Sequence, residues 1–402
     1  MKYLVLLCDG AADYPLEEYG EKTPLALAHK PVTDMLASRS IAGTVSNVPK
    51  GMVPESDTAN LAVMSYNPKE YSKGRSPLEA MSLGIDMQPD ETAYRCNVVT
   101  LDVPEDNPDA EYEDLIMVDH GADEIPTEES DLLIKALQAE LGNEFCHYYT
   151  GVCYRHCLIW RDAPEFKDFM RPHDILGQGI KKYLPGEPFL SIQKRSYEIL
   201  KNHPVNLDRI RRGLRPANSA WFWSPGKKPA LPSFEEKWGL KASVISAVDL
   251  IKGIAICAKM TSVNVEGATG NIHTNFAGKG EAAINEFKRG QDFVYIHVEA
   301  PDECGHRAEP DNKILSIEKI DAEILKPVYE YLLSTGEDFR ILILPDHPTP
   351  IWCRTHTMEP VPFILYDSRQ DNAGIKRFDE ESAESTGLYV PKGELLMDLM
   401  LK

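Results

Sequence analysis

An aspartate and a histidine, Asp346 and His347, follow a mostly apolar run near the carboxyl end of the chain. The run, residues 339–344, has the length and composition of a strand buried in a parallel sheet. Open α/β sheets place their ligand sites at the carboxyl ends of strands, and divalent transition metals accept carboxylate together with imidazole. His356 follows closely and offers a further donor. Taken alone, the Asp-His pair is equally consistent with a turn whose side chains lie in water.

Two further predicted strands end in the same kind of residue. Residues 293–298 form one of them, and Asp302 and His306 follow it. Gly305 is expected to bend the backbone so that both side chains reach one ion. The chain opens on the other strand, which ends at Asp9. Three strands that each end in aspartate, two of them with histidine close behind, favour a shared metal site over three unrelated turns.

Ser56 lies where a loop rich in proline and glycine gives way to a predicted helix, residues 57–64. Serine is a preferred N-cap residue, so a purely structural role is one interpretation. A helix start also gathers free N–H groups and the positive end of the dipole, which favour a bound phosphate. A metal-bound serine at that point could act as a nucleophile. The local sequence leaves both interpretations open.

The composition limits the classes of partner. Of 402 residues, 43% are hydrophobic, and 43 Lys and Arg stand against 63 Asp and Glu, which gives a formal net charge of -20. So acidic a chain is not expected to bind nucleic acid or an anionic membrane. A small anionic substrate remains compatible, because metal ions and local arginines can reverse the field within one cleft.

Cysteine usage and hydropathy indicate a soluble, cytoplasmic protein. The eight cysteines are scattered and are expected to be reduced thiols. No apolar run reaches the length of a membrane span, and the apolar run near the start is too short for a signal-peptide core. The sequence does not predict an oligomeric state.

The middle of the chain differs from its two ends in the pattern of predicted strands, helices and turns. A strand at 95–102, a helix at 127–142 and a strand at 152–160 are joined there by polar turns rich in proline. We therefore predict an α/β fold in which one domain, residues 1–74 and 237–402, is split by a second α/β domain, residues 75–236.

Together these clusters resemble the alkaline phosphatase superfamily, and within it the archaeal-type 2,3-bisphosphoglycerate-independent phosphoglycerate mutases. The resemblance implies an alkaline-phosphatase-like doubly wound sheet domain that carries the second domain as an insertion. It spans almost the whole chain and rests on Asp9-Gly10 and on residues 54–60, 74–80, 266–270, 302–306, 346–347 and 355–357.

The resemblance also implies two divalent metal ions. One ion would be held by Asp9, Ser56, Asp346 and His347, and the other by Asp302, His306 and His356. Carboxylate and imidazole ligands without cysteine suit Mn²⁺, with Zn²⁺, Co²⁺ or Fe²⁺ as substitutes. Two such cations can lower the pKa of the serine and neutralise phosphoryl oxygens during transfer.

The implied reaction interconverts 3-phosphoglycerate and 2-phosphoglycerate through a phosphoserine at Ser56, without bisphosphoglycerate. This reaction belongs to glycolysis and gluconeogenesis, and its substrate is a small phosphorylated molecule. The inserted domain would bind the rest of that substrate.

Five residues of the inserted domain are candidates for this role by resemblance. Asp174 resembles the family's proton-transfer residue, and His120 and His173 would line the site. Arg212 and Arg215 resemble the pair that clamps the substrate anion. On local sequence alone, Asp174 is equally consistent with a loop carboxylate in water, and the arginines with a solvated face.

Three other functions remain to be weighed. A sulfatase would carry Pro two residues and Arg four residues after its nucleophile, where this chain has Thr58 and Asn60. A homoserine kinase, proposed for some bacterial relatives, could use the same metal and serine groups with ATP, although no Walker A pattern is present. A non-catalytic metal-binding protein would keep the ligands but would not need the nucleophile.

Overall fold

The protein divides into two compact units in a computed structural model that describes residues 1–165 and 168–402. The first unit comprises Met1–Ser72 and Pro229–Lys402, and the second comprises Lys73–Lys228. The sequence places these boundaries after residues 74 and 236, so the structure begins and ends the second unit earlier. The later boundary falls early because the last strand of the second unit, Ser219–Lys227, ends immediately before it.

The helices and strands follow one another in mixed order along the chain. The first unit opens with β1 (Lys2–Cys8), α1 (Pro24–Leu27), α2 (Pro31–Ala37), β2 (Ile41–Val45), α3 (Ser56–Val63) and α4 (Pro68–Tyr71). The second unit follows with α5 (Ser76–Ser82), β3 (Glu91–Asp102), β4 (Ile116–Asp119), α6 (Thr127–Leu141), β5 (Cys146–Val152), β6 (Arg155–Arg161), α7 (Phe189–Leu200), α8 (Pro204–Arg211) and β7 (Ser219–Lys227).

The chain then returns to the first unit. The remaining elements are α9 (Phe234–Trp238), β8 (Ala242–Ile245), α10 (Asp249–Cys257), β9 (Thr261–Val263), α11 (Phe276–Lys288), β10 (Phe293–Val298), α12 (Ala300–Arg307), α13 (Pro310–Lys319), α14 (Lys326–Thr335), β11 (Phe339–Leu344), β12 (Val361–Asp367), α15 (Glu380–Glu384), β13 (Tyr389–Val390) and α16 (Leu396–Leu401).

The sheet of the first unit brings the three predicted strands side by side. Its order is β13-β2-β12-β11-β1-β10-β8-β9, and β1 pairs in parallel with both β10 and β11. Cys8 lies opposite Val298 and Leu7 lies opposite Leu344, so the three strands end at one edge. The sequence-based prediction of these three strands is confirmed.

These strands are mostly apolar because both of their faces are covered. Every residue of β10 and β11 is buried. Leu36 of α2, Phe287 of α11 and Leu332 of α14 pack in the same core. Burying one side chain of this size contributes about 1.5–3 kcal/mol. The apolar stretches therefore stay inside, and the polar residues that follow them emerge at one edge of the sheet.

The second unit also combines helices with a sheet, but its strands are antiparallel. The order is β4-β3-β6-β5, and β7 pairs with β3. Leu133 of α6 and Phe189 of α7 pack in its core. The strand predicted at 152–160 corresponds to β6, but its predicted start is wrong, because the chain turns between β5 and β6 with Cys153 at φ 55° and β6 begins at Arg155. Cysteine is a weak turn signal, so the sequence did not reveal this hairpin.

All eight cysteines are free, which agrees with the prediction of reduced thiols. Among the described residues, the helices are too short or too polar for any of them to traverse a lipid bilayer.

Candidate metal centre

Acidic and imidazole side chains converge at the carboxyl edge of the first unit's sheet. Asp9 follows β1, Asp302 lies on α12 just after β10, and Asp346 and His347 follow β11. Triads of donor atoms there lie within 4.8 Å of one another, namely Asp302 with His347 and His356, Asp9 with His297 and Asp346, and Asp9 with Glu299 and Asp302.

One set of donors surrounds the Nε2 atom of His347. It lies 3.4 Å from Ser56 Oγ, 3.5 Å from Asp346 Oδ2 and 3.7 Å from Asp9 Oδ1. Two ligands that each lie about 2.1 Å from one tetrahedral ion are roughly 3.4 Å apart. The separations in this set therefore suit donors arranged around a single cation.

A second set is centred on Asp302. Its Oδ2 lies 3.2 Å from His306 Nε2, its Oδ1 lies 3.3 Å from His356 Nε2, and the two Nε2 atoms are 3.0 Å apart. The ring of His356 also stacks on that of His347, with centroids 3.9 Å apart. The two sets are therefore neighbours, and each matches the spacing of ligands around one ion.

Hydrogen bonds at the far ring nitrogens orient the imidazoles. His306 Nδ1 donates to the Arg354 carbonyl at 2.9 Å, and His356 Nδ1 donates to the Pro54 carbonyl at 2.6 Å. His347 Nδ1 lies 3.3 Å from Thr349 Oγ1. When each ring is neutral with its proton on Nδ1, its Nε2 lone pair faces the cluster, which is the usual arrangement of metal-ligating histidine.

Burial of several carboxylates in one place is evidence for a cation there. Asp9 and Asp346 are each 1% exposed and Asp302 is 5% exposed. Asp9 Oδ1 is buried and has no hydrogen-bond partner among the described residues. Since buried charges are costly unless paired or bound to metal, these residues fit divalent cations well.

The pKa shifts of these groups reflect the same crowding. Burial, and then the nearby Asp346, raise the pKa of Asp9 well above its ordinary value. Burial opposes the charge of Asp302 too, but hydrogen bonds with His306 and His356 hold its pKa well below the usual range. Asp302 in turn raises the pKa of His306 to about 9. A metal that binds at neutral pH must therefore displace a proton from His306.

Asp346 is held by several donors. Its Oδ1 accepts from the backbone N–H of Gly10 at 3.1 Å and of His347 at 2.9 Å, and its Oδ2 accepts from Asn60 Nδ2 at 2.9 Å. Tyr295 donates to the amide oxygen of Asn60 at 2.6 Å. These contacts fix the carboxylate before any ion is bound.

Two glycines allow the segments to approach closely, and for one of them the predicted reason is wrong. Gly10 has φ 62°, and a Cβ there would lie 2.6 Å from Asp302 and from Thr349. Gly305 was expected to bend the backbone, but α12 is continuous through it. A Cβ at Gly305 would lie 2.3 Å from the carbonyl oxygen of Thr349, so the glycine is needed for close packing.

Ser56 is the first residue of α3, and the N-cap residue of this helix is Glu55. The interpretation of Ser56 as an N-cap is therefore wrong. Its side chain is half-buried at the edge of the cluster, with the hydroxyl oxygen 3.4 Å from His347 Nε2.

Two residues near the cluster were missed at the sequence level. His297, the fifth residue of β10, lies 2.9 Å from Asp9 Oδ2 through Nε2 and 3.2 Å from Ser246 Oγ through Nδ1. Burial lowers the pKa of His297 to about 3, so the ring is neutral and donates to Asp9. Burial raises the pKa of Glu299 to about 7. A histidine in a buried strand is unusual, and that was the available signal.

The second unit brings together three of its predicted residues. His120 follows β4, and its ring centroid lies 6.0 Å from that of His173. His173 and Asp174 share one short turn, with Nε2 and Oδ1 3.7 Å apart. Burial lowers the pKa of His173. The side chain of Asp174 is 52% exposed and therefore accessible to a ligand.

The two predicted arginines are already paired with carboxylates in their own unit. Arg212 lies 2.6 Å from Glu129 and 2.8 Å from Asp208. Arg215 lies 2.9 Å from Asp119, the residue before His120, and 3.0 Å from Asp123. To clamp a substrate anion, each guanidinium would have to share or exchange these partners. The clamp stays a prediction.

An aromatic and an arginine beside His173 were also missed. The ring of Trp223 lies 5.5 Å from that of His173, and the guanidinium of Arg95 lies 4.5 Å from the centre of the Trp223 ring. Asn97 links this group to His120, because it accepts from Trp223 Nε1 at 3.0 Å and donates to the His120 carbonyl at 3.0 Å.

The amino-acid sequence matches known proteins along its whole length. A family model described as 2,3-bisphosphoglycerate-independent phosphoglycerate mutase matches residues 37–206. A protein of Geobacter sulfurreducens, named probable 2,3-bisphosphoglycerate-independent phosphoglycerate mutase, is 44% identical over 406 residues and covers 100% of both chains. A Methanosarcina barkeri protein named as such a mutase is 42% identical over 408 residues, again with 100% of both chains covered.

Solved structures are similar too. A cofactor-independent phosphoglycerate mutase from Thermoplasma acidophilum has a TM-score of 0.67 and 26% identity, covering 100% of this chain and 99% of that one. A protein from Pyrococcus horikoshii has a TM-score of 0.79 and 27% identity, covering 99% of this chain and 96% of that one.

Proposed function

The chain belongs to the family of 2,3-bisphosphoglycerate-independent phosphoglycerate mutases, and we propose that it interconverts 3-phosphoglycerate and 2-phosphoglycerate through a phosphoserine at Ser56. The observation that carries this mechanism is the position of Ser56, whose hydroxyl oxygen lies 3.4 Å from His347 within a ring of donors. Homoserine kinase is not favoured, because relatives that match the full length carry the mutase name.

The metal ligands are proposed as two sets. Asp9, Ser56, Asp346 and His347 would hold one divalent ion, and Asp302, His306 and His356 the other. Support comes from the donor separations, 3.4–3.7 Å in the first set and 3.0–3.3 Å in the second, and from the unpartnered Asp9 Oδ1. When bound, the ions lower the pKa of the Ser56 hydroxyl and offset charge on the phosphoryl oxygens.

The residues of the chain would then act in two transfers. In the first transfer, Ser56 Oγ loses its proton and forms a bond to phosphorus. The bond between phosphorus and the substrate's 3-oxygen breaks at the same time, and the 3-oxygen gains a proton. In the second transfer, the 2-hydroxyl oxygen loses its proton and takes the phosphoryl group, and Ser56 Oγ is reprotonated. No second phosphate donor enters, which is why bisphosphoglycerate is not required.

Phosphorus NMR tests the activity directly. Protein loaded with Mn²⁺ and given 3-phosphoglycerate, without bisphosphoglycerate, is expected to produce the 2-phosphoglycerate signal. A parallel sample receives homoserine and ATP. Formation of phosphohomoserine without 2-phosphoglycerate would overturn the mutase proposal while leaving the metal centre in place.

Removal of metal is expected to abolish turnover. Without cations, Ser56 keeps its proton at neutral pH and the phosphoryl charge is not offset. We propose Mn²⁺ as the preferred ion because the ligands combine hard carboxylates with imidazoles and include no cysteine. Activity is measured after exhaustive chelation and again after titration with Mn²⁺, with Zn²⁺, Co²⁺ and Fe²⁺ in separate samples. Full turnover in metal-free protein would rule out the two-ion scheme.

Asp174 is proposed as the group that exchanges protons with the substrate's hydroxyls, and His120, His173, Arg212 and Arg215 as substrate-binding residues. The supporting observation is that Asp174 is exposed and lies beside His173. Asp174→Asn should lower kcat by about 10²–10⁴ without loss of fold, the usual contribution of a general acid or base. Asp106→Asn, an exposed loop carboxylate of the same unit, serves as the control. Equal activity of the two variants would remove Asp174 from the mechanism.

A further inference from the structure

Strand β10 carries two polar side chains on one face, although every residue of the strand is buried. Side chains alternate between the two faces of a strand, and Val294 and Ile296 pack in the hydrophobic core of the first unit. Tyr295 and His297 therefore lie on the opposite face, and both are 0% exposed. Buried polar groups are costly unless each has a partner, so the partners of these two side chains indicate what they do.

The partners of both side chains lie at the candidate metal centre. His297 Nε2 lies 2.9 Å from Asp9 Oδ2, and the Tyr295 hydroxyl donates to Asn60 Oδ1 at 2.6 Å. Asn60 is the fifth residue of α3, the helix that begins at Ser56, and is 0% exposed. The polar face of β10 therefore meets two segments that carry proposed ligands of the first ion.

The amide of Asn60 joins the proposed nucleophile to another proposed ligand. Its Nδ2 donates to the Ser56 carbonyl at 2.8 Å and to Asp346 Oδ2 at 2.9 Å. An amide nitrogen carries two protons, and these two bonds use both of them. The partners also fix which end of the amide is nitrogen, because a carbonyl and an ionised carboxylate only accept. A reversed amide would place its oxygen against both acceptors.

Tyr295 holds the other end of the same amide. It lies on a strand between β1 and β8 in the interior of the sheet, 235 positions away from Asn60 in sequence. Asp346 lies 286 positions away from Asn60. One amide therefore ties together helix α3, strand β10 and the segment after β11, and the position of Ser56 relative to Asp346 depends on it.

We propose that Asn60, held by Tyr295, is a positioning residue for phosphoryl transfer that fixes Ser56 against Asp346. The proposal rests on the phosphoserine mechanism proposed above, and neither residue needs to contact the substrate. The N-cap residue of α3 makes no side-chain capping bond, and uncapped helix ends fray. The bond from Asn60 restrains this first turn. A displacement of about 1 Å at a reacting group can cost about 10²-fold in rate.

Asn60→Leu removes both donors and keeps the approximate size of the side chain. Its affinity for Mn²⁺, measured by titration without substrate and followed by electron paramagnetic resonance, should fall about 10–100-fold, the usual effect of losing a contact that orients a metal ligand. At saturating Mn²⁺, kcat should remain at least about tenfold below that of the unsubstituted protein. KM should change by less than about threefold, because no substrate contact is lost.

Tyr295→Phe is the milder test, because it keeps the buried ring and removes only the hydroxyl. It should lower kcat in the same direction, by at least about threefold, again with little change in KM. Tyr148→Phe is the matched control, since the Tyr148 hydroxyl is buried and has no hydrogen-bond partner among the described residues. The control should keep the Mn²⁺ affinity and the kcat of the unsubstituted protein. Circular dichroism and thermal unfolding show that each variant is folded at the assay temperature.

The outcomes separate this proposal from the proposed function. A folded Asn60→Leu variant with unchanged Mn²⁺ affinity and kcat would overturn the positioning role, and Tyr295→Phe decides by the same readouts if Asn60→Leu does not fold. Weaker Mn²⁺ binding with an unchanged kcat at saturation would overturn the effect on Ser56. Unsubstituted protein without mutase activity would overturn the proposed function instead, and the Mn²⁺ titration would still decide whether Asn60 positions Asp346.

Discussion

Ser56→Ala protein is expected to lose mutase turnover by about four to six orders of magnitude, as other enzymes do when a nucleophile is removed. In the proposed mechanism no other group of the chain accepts the phosphoryl group. The half-buried Ser56 side chain lies 3.4 Å from His347 and begins α3 without capping it. Its loss should therefore change the free energy of unfolding by less than about 1 kcal/mol.

The measurement pairs the activity of the Mn²⁺-loaded variant with its circular dichroism and thermal unfolding. Ser38→Ala is a matched control, because Ser38 is exposed and its hydroxyl donates only to the Met35 carbonyl. When protein with Ser56 intact is quenched during turnover, mass spectrometry should find phosphate on Ser56. A folded Ser56→Ala variant with appreciable turnover would remove the phosphoserine mechanism.

The part of the centre that the sequence could predict follows from strand burial. A strand covered on both faces must be apolar until it reaches the sheet edge, so Asp9 and Asp346 mark the ends of β1 and β11 in the sequence itself. That these ends adjoin is a property of strand order, and Leu7 opposite Leu344 could not be read from the chain. We inferred that the ends lie together because each predicted strand is followed by aspartate, and two of them also by histidine.

The contacts that were missed depend on pairs that are distant in sequence. His297 meets Asp9 across 288 positions, and nothing near either residue indicates the other. The role of Gly305 was misjudged for the same reason, because the atom that requires it belongs to Thr349 on another segment. The antiparallel order in the second unit likewise rests on long-range pairing, and a local pattern of apolar residues does not distinguish it from a parallel one.

Lys313→Met is expected to lower the free energy of unfolding by about 3–5 kcal/mol, the usual cost of breaking a buried ion pair. Lys313 lies on α13, and its side chain and that of Asp13 are both 0% exposed. The ammonium donates to Asp13 Oδ2 at 2.7 Å, to the Thr349 carbonyl at 2.9 Å and to the Ala12 carbonyl at 3.3 Å. Methionine keeps the length of the side chain but leaves the buried Asp13 carboxylate without its countercharge and the Thr349 carbonyl without this donor, whereas the Ala12 carbonyl still accepts from the N–H of Thr349 at 3.2 Å.

Urea unfolding measures this loss. Lys319→Met on the same helix is the control, since its ammonium lies 3.6 Å from Glu323 at the surface, and it should cost less than about 1 kcal/mol. Equal losses in the two variants would show that the buried pair does not hold these segments together.

Adding Asp13→Asn to Lys313→Met separates charge from positioning. The double variant buries no unpaired carboxylate, so it should regain stability relative to Lys313→Met, with a coupling energy of about 0.5–3 kcal/mol. The Thr349 carbonyl would still lack the ammonium that donates to it, and the hydroxyl of the same residue donates to Asp302. Weakened Mn²⁺ binding in the stabilised double variant would therefore assign Lys313 a positioning role, whereas unaltered binding would limit it to stability.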